Sequence, residues 1–378
     1  MPIEQIVIYD LKIPFRRAIR HGLCSRSETE SVIIQVLDDQ GHRGFGEGVP
    51  RSYVTGETLV ESLDAAESVA TAMLGSDFTS SDALIASLTE LGRSSSTAAC
   101  PAAVCAMELA VLDWWARRAA VPVWHLFREQ VPVAALTYSV VIPHMECQTD
   151  LQAILTLIQK LDFDHIKAKV TEVASGIALL QTIRRQLGPD VDLRVDANGV
   201  FNDQEALEFI SKATPLNLSA LEQPVAREDI DGLCTVTRNS PIPIIADESL
   251  FTCHGPQAVI ENGWSHGVNL RLSSCGGLLR TMQLYQLASA RKMVILQGAH
   301  VGETAILSLA GRHLAALCPE HHYLEGSAST WVIQEDLCHE DITPPAGGRV
   351  QTPGNAGLGA VFNASILEKW SRHQRTVT

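Results

Sequence analysis

Two lysines lie in one short apolar stretch, HIKAKV (165–170), whose composition predicts a buried strand. Side chains along a strand alternate between its two faces, so Lys167 and Lys169 point the same way. If that face meets water, the pattern is ordinary. If it faces the interior of a barrel, two like charges share a confined space, and a chemical role is indicated.

Acidic residues follow the lysines at intervals of roughly one strand–helix unit. They lie in RVDANG, LEQP and ADES, at Asp196, Glu222 and Asp247, and Arg271 follows in NLRLSS. Carboxylates that converge from neighbouring strands are the hard oxygen ligands that Mg²⁺ takes. The alternative is that each acid caps the helix that follows it. We expect the three acids to bind Mg²⁺, with Mn²⁺ as a substitute.

The lysine pair and the metal site together predict proton abstraction beside a carboxylate. A divalent ion bound to a substrate carboxylate would stabilise the charge that develops when the adjacent carbon loses its proton. A lysine must be neutral to take that proton, and a nearby ammonium group favours the neutral form. We therefore expect Lys169 to act as the base and Lys167 as its cationic neighbour.

Composition narrows the class of protein. The chain has 378 residues, a formal net charge of −14 and 46% hydrophobic residues, which suits a globular protein with a large core. The acidic balance argues against nucleic acid and anionic membranes as partners. Nine cysteines without CxxC pairs indicate free thiols, and the N-terminus lacks the pattern of a signal peptide. We expect a cytoplasmic protein with no membrane span.

The rhythm of the sequence changes along the chain. Residues 1–128 combine alternating strands with helical patterns at about 60–91 and 98–119, in which Trp114 and Trp115 are interpreted as packing residues. From 129 to 345, short strands and helices alternate with a period near 25 residues, which is typical of βαβ units, and VPVAALTYSVV (131–141) is predicted as the first strand. About eight units predict a TIM barrel. The Pro/Gly-rich segment 346–378 is expected to return to the N-terminal unit.

A doubly wound sheet is the alternative architecture. Such a sheet usually carries a glycine-rich phosphate turn after its first strand. The one glycine-rich candidate, GFGEG (44–48), lies instead in a predicted hairpin, so the sequence favours the barrel.

The motifs KAK (167–169), DAN (196–198), EQP (222–224) and ADES (246–249) resemble the enolase superfamily in its muconate-lactonizing-enzyme-like branch. CAMELAVLDWWARRAAVPVWHLF resembles the helix before that family's barrel, and GAHVGETAILSLAG the segment after its seventh strand. The resemblance implies an α/β fold, a (β/α)7β modified TIM barrel with an N-terminal α+β capping domain completed by the C-terminal tail. Capping loops near RHGLCSRSETE (20–30) and PRSYVTGE (50–57) would choose the substrate.

The same resemblance implies roles for individual residues. Asp196, Glu222 and Asp247 would bind Mg²⁺, Lys169 would be the acid/base, and Lys167 would polarise the substrate carboxylate. Further polar residues would contact these groups or the substrate: Asn198, Glu248, Asn269, Glu303 and Glu325. Glu325 would hold a substrate ammonium group, unless it is an ordinary exposed acid.

The sequence departs from the family pattern at Arg271, where members of this branch have a second lysine. A guanidinium hardly ever gives up its proton, and two-base racemisation needs an acid/base on both faces of the substrate. Arg271 therefore puts the two-base route in doubt. It could steady an enediolate, bind a second anionic group, or pair with a neighbouring acid.

Three functions remain open from the sequence. The favoured one is an isomerase, either an epimerase or racemase of a dipeptide or N-substituted amino acid, or a cycloisomerase. The second is a one-base dehydratase or lyase acting on a hydroxy acid or similar carboxylate, which Arg271 favours. The third is a barrel that binds Mg²⁺ and a carboxylate without turnover. In each case we expect a small-molecule carboxylate ligand and a homo-oligomer.

Overall fold

A computed structural model describes residues 2–21, 24–93, 99–130, 133–144 and 148–378. The N-terminal domain combines an antiparallel sheet, a separate hairpin and three helices. In chain order its elements are β1 (Ile3–Leu11), β2 (Pro14–His21), β3 (Cys24–Glu28), β4 (Ser31–Asp38), β5 (Arg43–Gly48), α1 (Leu59–Met73), α2 (Ser81–Arg93) and α3 (Pro101–Arg118). β1, β4 and β5 form the sheet, and β2 and β3 form the hairpin.

The helical pattern predicted over about 60–91 corresponds to two helices. α1 ends at Met73, and the connection to α2 contains Gly75 in the left-handed region, at φ 75°. Glycine adopts this conformation without steric cost, so the chain can leave the helix there.

The glycines of GFGEG allow β5 to pack closely against α3. They lie on β5 against the small residues of α3, and a Cβ atom added at Gly46 would lie 1.9 Å from the carbonyl oxygen of Ala106. At Gly48 it would lie 1.9 Å from the carbonyl oxygen of Ala102. Glycine is therefore required because the backbones of the strand and the helix approach each other so closely.

The central part of the chain forms the barrel. Its elements are β6 (Ala135–Thr137), β7 (Val140–Ile142), α4 (Gln148–Lys160), β8 (His165–Lys169), α5 (Val173–Leu187), β9 (Asp192–Asp196), α6 (Asp203–Ala213), β10 (Ala220–Glu222), α7 (Ile230–Asn239), β11 (Ile244–Ala246), α8 (Gly255–Asn262), β12 (Gly267–Leu270), α9 (Leu272–Cys275), α10 (Leu278–Ala290), β13 (Val294–Gln297), α11 (Ala305–Leu317), β14 (Tyr323–Leu324) and α12 (Ser329–Val332).

Strands β7 to β14 lie side by side in sequence order and pair in parallel. The amide of Ser139, next to β7, donates to the carbonyl oxygen of Leu324 in β14 at 2.8 Å, which joins the first strand to the last. The predicted (β/α)7β modified TIM barrel is confirmed, since eight strands are connected by seven helical segments in the described residues.

The C-terminal segment returns to both domains. It contains β15 (Arg349–Gln351), α13 (Ala364–Trp370) and β16 (Ser371–Val377). β15 pairs with β6, so the stretch VPVAALTYSVV, predicted as one strand, is divided between this small sheet and the barrel strand β7. β16 pairs antiparallel with β1. The tail thus completes the capping domain, as expected, while the domain boundaries 1–128, 129–345 and 346–378 stay predictions.

Buried carboxylates of the capping domain hold it against the barrel. Glu47 accepts hydrogen bonds from the amide and hydroxyl of Thr304, at 3.1 and 2.7 Å, at the start of α11. Glu108 accepts one from the amide of Leu279, at 3.0 Å, at the start of α10. Burial raises the pKa of Glu108 to about 8 and also raises the pKa of Glu47. Both acids lie at the positive ends of helices, which favours their anionic forms.

Two predictions from composition concern cysteines and membrane spans. Seven of the cysteines are shown to have free thiols: Cys100, Cys105, Cys234, Cys253, Cys275, Cys318 and Cys338. Within the same ranges, every helix is too short or too polar to cross a bilayer.

Candidate active site

The parallel register of the barrel brings the predicted site residues to one mouth. Lys169 is the register partner of Asp196, and Asp196 is the partner of Glu222. Asp247 follows β11 directly, and Arg271 follows β12 directly. These side chains therefore lie at the carboxyl ends of five successive strands, where active sites of such barrels are found.

Lys167 is buried among carboxylates. Its Nζ lies 2.7 Å from Glu325 Oε2, 3.0 Å from Glu222 Oε2 and 3.4 Å from Asp196 Oδ2. Burial alone would lower the pKa of Lys167, but the negative charges of the three carboxylates outweigh it and raise the pKa above its ordinary value. Lys167 therefore stays cationic and points into the barrel interior, away from solvent.

Lys169 lies nearer the open mouth. Its side chain is 18% exposed, against 4% for Lys167, and its Nζ lies 3.3 Å from Asp196 Oδ2. The amine also donates to Asn198 Oδ1 at 2.7 Å. The face shared by the two lysines is thus the interior one, and Lys169 is the amine that a ligand at the mouth can reach.

The carboxyl groups at the mouth differ in how their surroundings shift their pKa values. Burial alone would raise the pKa of Asp196, but the charges of Lys169 and Lys167 outweigh burial and hold this pKa well below its usual range. Burial raises the pKa of Glu222 despite the charge of Lys167. Burial and the charge of Asp196 raise the pKa of Glu248 to about 7. The mouth therefore combines a carboxylate that stays ionised with one that titrates near neutrality.

The amides expected beside the acids contact them. The backbone amide of Asn198 donates to Asp196 Oδ1 at 2.9 Å, and its Nδ2 donates to Glu248 Oε1 at 3.2 Å. Asn269 Nδ2 donates to Glu222 Oε1 at 2.8 Å. Each amide thus fixes one carboxylate oxygen, and the second oxygens of Asp196 and Glu222 lie beside Lys167.

The three acids do not form a preassembled metal cage. In the described residues, no three His, Cys, Asp or Glu side chains are arranged to hold one metal ion. Instead, the cationic side chains Lys167, Lys169 and Arg271 pair with the acids. The donor chemistry still fits Mg²⁺. Asp247 Oδ1 is a buried oxygen without a hydrogen-bond partner among the described residues, and Asp196 Oδ2 contacts Lys167 and Lys169 as an ion pair without a hydrogen bond. Carboxylate oxygens are the preferred ligands of Mg²⁺.

The opposite side of the mouth carries a guanidinium instead of an amine. Arg271 pairs with Asp247, and its Nη1 lies 3.3 Å from His300 Nδ1, while His300 Nε2 lies 2.7 Å from Ser274 Oγ. Because a guanidinium donates and does not accept, His300 Nδ1 accepts here and its Nε2–H donates to Ser274. Burial and the charge of Arg271 hold the pKa of His300 well below its usual range, so the ring is neutral.

Glu303 supports this histidine. Glu303 Oε1 accepts a hydrogen bond from the amide of His300 at 2.6 Å, and burial raises the pKa of Glu303 to about 8. Glu303 thus fixes the loop after β13 that carries His300.

Arg194 is a site residue that the sequence analysis missed. Its Nη1 donates to Glu325 Oε1 at 2.9 Å, and its Nη2 donates to Ser139 Oγ at 2.7 Å. Arg194 lies two residues before Asp196 on β9, so strand alternation already placed it on the interior face. Since Lys167 and Arg194 engage both oxygens of Glu325, a substrate ammonium group would have to displace one of them.

Gln223 is a second residue near the site whose role the sequence did not indicate. It has a φ of 38°, which is uncommon for a residue other than glycine. Its Oε1 accepts hydrogen bonds from the amides of Asp247, at 2.9 Å, and Ser249, at 3.1 Å. Gln223 therefore fixes the turn that presents Asp247, a role that its place in EQP did not reveal.

The expected capping loop 50–57 contacts the loop after β13, where Arg51 Nη2 donates to the carbonyl oxygen of Val301 at 3.0 Å. The start of β2 contacts the segment after α12, where the amide of Gln334 donates to the carbonyl oxygen of Pro14 at 2.9 Å. Residues 22–23, within RHGLCSRSETE, lie outside the described residues.

Comparison with known proteins agrees with this geometry. Residues 151–366 match the family described as Enolase C-terminal domain-like, and residues 4–127 match the N-terminal domain of the mandelate racemase/muconate lactonizing enzyme family. The chain is 28% identical over 376 residues to L-Ala-D/L-Glu epimerase of Bacillus subtilis, covering 97% of this chain and 99% of that protein.

Solved structures show the same fold. N-succinyl Arg/Lys racemase from Bacillus cereus superposes with a TM-score of 0.88 at 23% identity, covering 100% of both chains. Dipeptide epimerase from Enterococcus faecalis, complexed with Mg and L-Leu-L-Tyr, superposes with a TM-score of 0.85 at 26% identity, covering 95% of this chain and 99% of that chain. Because the barrel match alone spans more than half of the sequence, this chain belongs to the enolase superfamily, in its mandelate racemase/muconate lactonizing enzyme family.

Proposed function

We propose that this protein is a Mg²⁺-dependent isomerase that removes the proton α to the carboxylate of a small-molecule substrate. The observation that carries the proposal is the placement of Lys169 at the mouth, 3.3 Å from Asp196, with Lys167 held permanently cationic behind it. Relatives named as epimerases, racemases and cycloisomerases support an isomerase over a lyase or a non-catalytic barrel.

Asp196, Glu222 and Asp247 would hold the metal ion. Bound there, Mg²⁺ supplies charge neutralisation for a carboxylate beside the reacting carbon, and Mn²⁺, which takes the same oxygen ligands, is proposed as a substitute. The buried oxygens of Asp196 and Asp247 that lack hydrogen-bond partners in the described part of the chain are suited to this task.

Lys169 would move the proton. In its neutral form the amine accepts the α proton, and Asn198 Oδ1, at 2.7 Å, holds Nζ in place for the transfer. The ammonium group of Lys167 would help to orient the substrate carboxylate. Because its pKa is raised by three carboxylates, it keeps its own proton throughout.

Arg271 would act on the other face as a fixed cation. Asp247 and His300 hold its guanidinium, which can donate hydrogen bonds to a developing oxyanion but cannot return a proton to carbon. The substrate we propose is a dipeptide, an N-substituted amino acid or a compound that undergoes cycloisomerisation. Because its guanidinium cannot return a proton to the opposite face, Arg271 favours cycloisomerisation, in which Lys169 alone serves one face, over epimerisation or racemisation.

A deuterium-exchange screen tests the proposed function. N-acylamino acids, dipeptides and muconate-type dicarboxylates are incubated in D₂O with Mg²⁺ or with EDTA, and loss of the α-hydrogen signal is followed by NMR. We expect exchange with at least one class in Mg²⁺ and little in EDTA. Equal exchange in EDTA, or none with any class, would contradict the proposal.

A matched pair of variants tests the metal ligands without relying on activity. Asp196→Asn removes a proposed ligand, and Asp231→Asn removes an equal charge from an exposed position on α7. We expect calorimetry to show Mg²⁺ binding weakened at least about 10-fold in Asp196→Asn, since even indirect supports of a metal site are worth that much. Asp231→Asn should bind Mg²⁺ as the wild type does.

A further inference from the structure

Lys167 and Arg194 are two buried cations that lie side by side. They are register partners on β8 and β9, so their side chains leave the strands at the same height on the interior face. Lys167 is 3% exposed and Arg194 is 1% exposed. Like charges directly opposite each other on neighbouring strands destabilise a sheet. The pair therefore requires an anion between its members.

Glu325, directly after β14, supplies that anion. Its Oε2 lies 2.7 Å from Lys167 Nζ, and its Oε1 accepts a hydrogen bond from Arg194 Nη1 at 2.9 Å. Burial alone would raise the pKa of Glu325, but the charges of Lys167 and Arg194 outweigh burial and lower this pKa. Glu325 is thus an ionised bridge with one oxygen for each cation.

Arg194 is the fixed end of this bridge. Its Nη2 donates to Ser139 Oγ at 2.7 Å, and its guanidinium lies over the ring of Tyr323, 4.0 Å from the centroid. The planar guanidinium makes these contacts in a rigid geometry, whereas the amine of Lys167 is carried on a flexible four-carbon stem. Arg194 can therefore hold Glu325 in place, and Glu325 can hold Lys167.

Glu325 differs from the other carboxylates around Lys167. Asp196 and Glu222 also lie beside its Nζ, at 3.4 and 3.0 Å, but both are proposed ligands of Mg²⁺. A divalent ion would be the largest local charge there and would compete with the ammonium group for their oxygens. Among these three carboxylates, Glu325 is the one for which the metal ion does not compete.

We infer that Arg194 is a positioning residue, which fixes Glu325 and through it holds the ammonium group of Lys167 where that group orients the substrate carboxylate. Glu325 then has a different role from the one expected from the sequence, because its carboxylate serves the protein's own lysine. The chain of contacts runs from β9 to the end of β14 and then to β8. The inference rests on the proposed function, because Lys167 acts there on the substrate.

Nuclear magnetic resonance of the lysine side chains tests the inference without relying on activity. The ammonium protons of Lys167 are observed in Mg²⁺-loaded protein labelled with ¹⁵N at lysine Nζ, and their signal is assigned by its absence in Lys167→Met. We expect slow proton exchange with water in the wild type and exchange at least about 10-fold faster in Arg194→Met, as the loss of a charged hydrogen bond would give. Fast exchange in the wild type, or an unchanged rate in Arg194→Met, would overturn the inference.

Arg312 provides a matched control. It is also a buried arginine, 9% exposed, and its hydrogen bonds go to a serine hydroxyl and a backbone carbonyl oxygen. In the part of the chain that the structure describes, the ion pairs of Glu325 are with Lys167 and Arg194. Arg312→Met should therefore leave the exchange of the Lys167 ammonium protons at the wild-type rate. Equal acceleration in Arg194→Met and Arg312→Met would mean that any disturbance of the barrel releases Lys167, and the inference would fail.

Milder variants keep the inference testable if Arg194→Met folds poorly. Ser139→Ala removes only the far hydrogen bond of Arg194, and Glu325→Gln removes the charge of the bridge. We expect faster exchange of the Lys167 ammonium protons in both variants, with the larger effect in Glu325→Gln. If Glu325→Gln alone accelerates exchange, Glu325 holds Lys167 without help from Arg194, and the inference fails. Wild-type exchange in both variants would overturn it as well.

α-Hydrogen exchange and Mg²⁺ binding separate this inference from the proposed function. Arg194→Met should lower the rate of α-hydrogen exchange at saturating probe at least about 10-fold, since a misplaced orienting group can cost about 10²-fold. It should bind Mg²⁺ at least as tightly as the wild type in calorimetry, because it loses a positive charge near the metal site. If the affinity for Mg²⁺ falls together with the exchange rate, Arg194 has only a structural role, and the inference fails. If no probe shows α-hydrogen exchange while the ammonium protons of Lys167 respond to Arg194→Met as expected, the proposed function fails and the placement of Lys167 by Arg194 stands.

Discussion

The two sides of the barrel mouth neutralise their buried carboxylates with different cations. On the side of β8 to β10, Lys167 and Lys169 neutralise Asp196 and Glu222. On the side of β11 to β13, Arg271 neutralises Asp247. An amine can lose its proton and regain it, whereas a guanidinium stays protonated. Charge is therefore balanced on both sides of this mouth, but only the side of β8 to β10 carries an amine.

The side chains that hold Lys169 and Arg271 differ in the same way. Lys169 is held through the amide oxygen of Asn198, which accepts a hydrogen bond whether or not the amine is charged. Arg271 is held by Asp247 and by His300, both of which act as acceptors of permanent donors. The contacts of Arg271 therefore suit a permanent cation, whereas the contact between Lys169 and Asn198 suits an amine in either charge state.

The largest effect should come from removing the buried lysine. Lys167→Met leaves the carboxylates of Asp196, Glu222 and Glu325 without their shared cation, and breaking such a buried network costs about 3–5 kcal/mol. We expect urea denaturation in EDTA to show a loss of this size, and Mg²⁺ to recover part of it.

An exposed lysine gives the control for that variant. Lys212 pairs with Glu208 where both side chains are 53% exposed, so Lys212→Met should change the free energy of unfolding by less than about 1 kcal/mol. If the two variants lose similar free energies of unfolding, Lys167 does not stabilise the buried carboxylates around it.

A lysine at position 271 would place an amine on the arginine side of the mouth. Arg271→Lys provides a titratable group on the second face, so we expect exchange of the previously slow enantiomer to rise at least about 10-fold, within the range of general acid–base catalysis. The measurement is α-hydrogen exchange in D₂O with each enantiomer separately. Arg271→Met removes the same guanidinium without adding an amine and should show no such gain. Equal behaviour of the two variants would contradict the assignment of the faces.

The smallest effect concerns the junction between the domains. The pKa of Glu108 is about 8 when folded, against an ordinary value of 4.5, so the folded state binds this proton more tightly than the unfolded state. Its stabilising contribution is complete below about pH 4.5 and is lost as the pH rises through about 8. Between pH 5 and 8, Glu108 should therefore lower the free energy of unfolding by up to about 1.4 kcal/mol for each pH unit. We expect Glu108→Gln to abolish this decrease.

Denaturation series at several pH values measure this slope. Glu90→Gln, at an exposed position of α2, should keep the wild-type slope. A wild-type slope in Glu108→Gln would mean that the pH dependence arises at the mouth, where Glu248 also titrates near neutrality.

The sequence was sufficient for the positions of the main site residues. Strand alternation and the period of about 25 residues placed Lys167, Lys169, Asp196, Glu222 and Asp247 at successive strand ends, and the register brings them to one mouth. Their chemical roles stay predictions. The contacts between distant strands were not accessible, because Arg194 and Glu325 are 131 residues apart and meet only when the barrel closes.

Local irregularities were also hidden in the sequence. The left-handed backbone of Gln223 depends on the hydrogen bonds it makes to the turn after β11, which no pattern of side chains reports. Likewise the strand VPVAALTYSVV divides because β15, more than 200 residues away, pairs with its first part. Where a residue's partner lies far along the chain, its role follows from tertiary structure.

The central claim is that the amine of Lys169 removes the α proton, and one measurement tests it most directly. α-Hydrogen exchange of a substrate identified in the screen is followed by NMR in D₂O and Mg²⁺, for the wild type and for Lys169→Ala with an unchanged circular dichroism spectrum. We predict a loss of exchange of at least about 10³-fold, within the range expected for a general base. Exchange in Lys169→Ala at a rate near that of the wild type would contradict the claim.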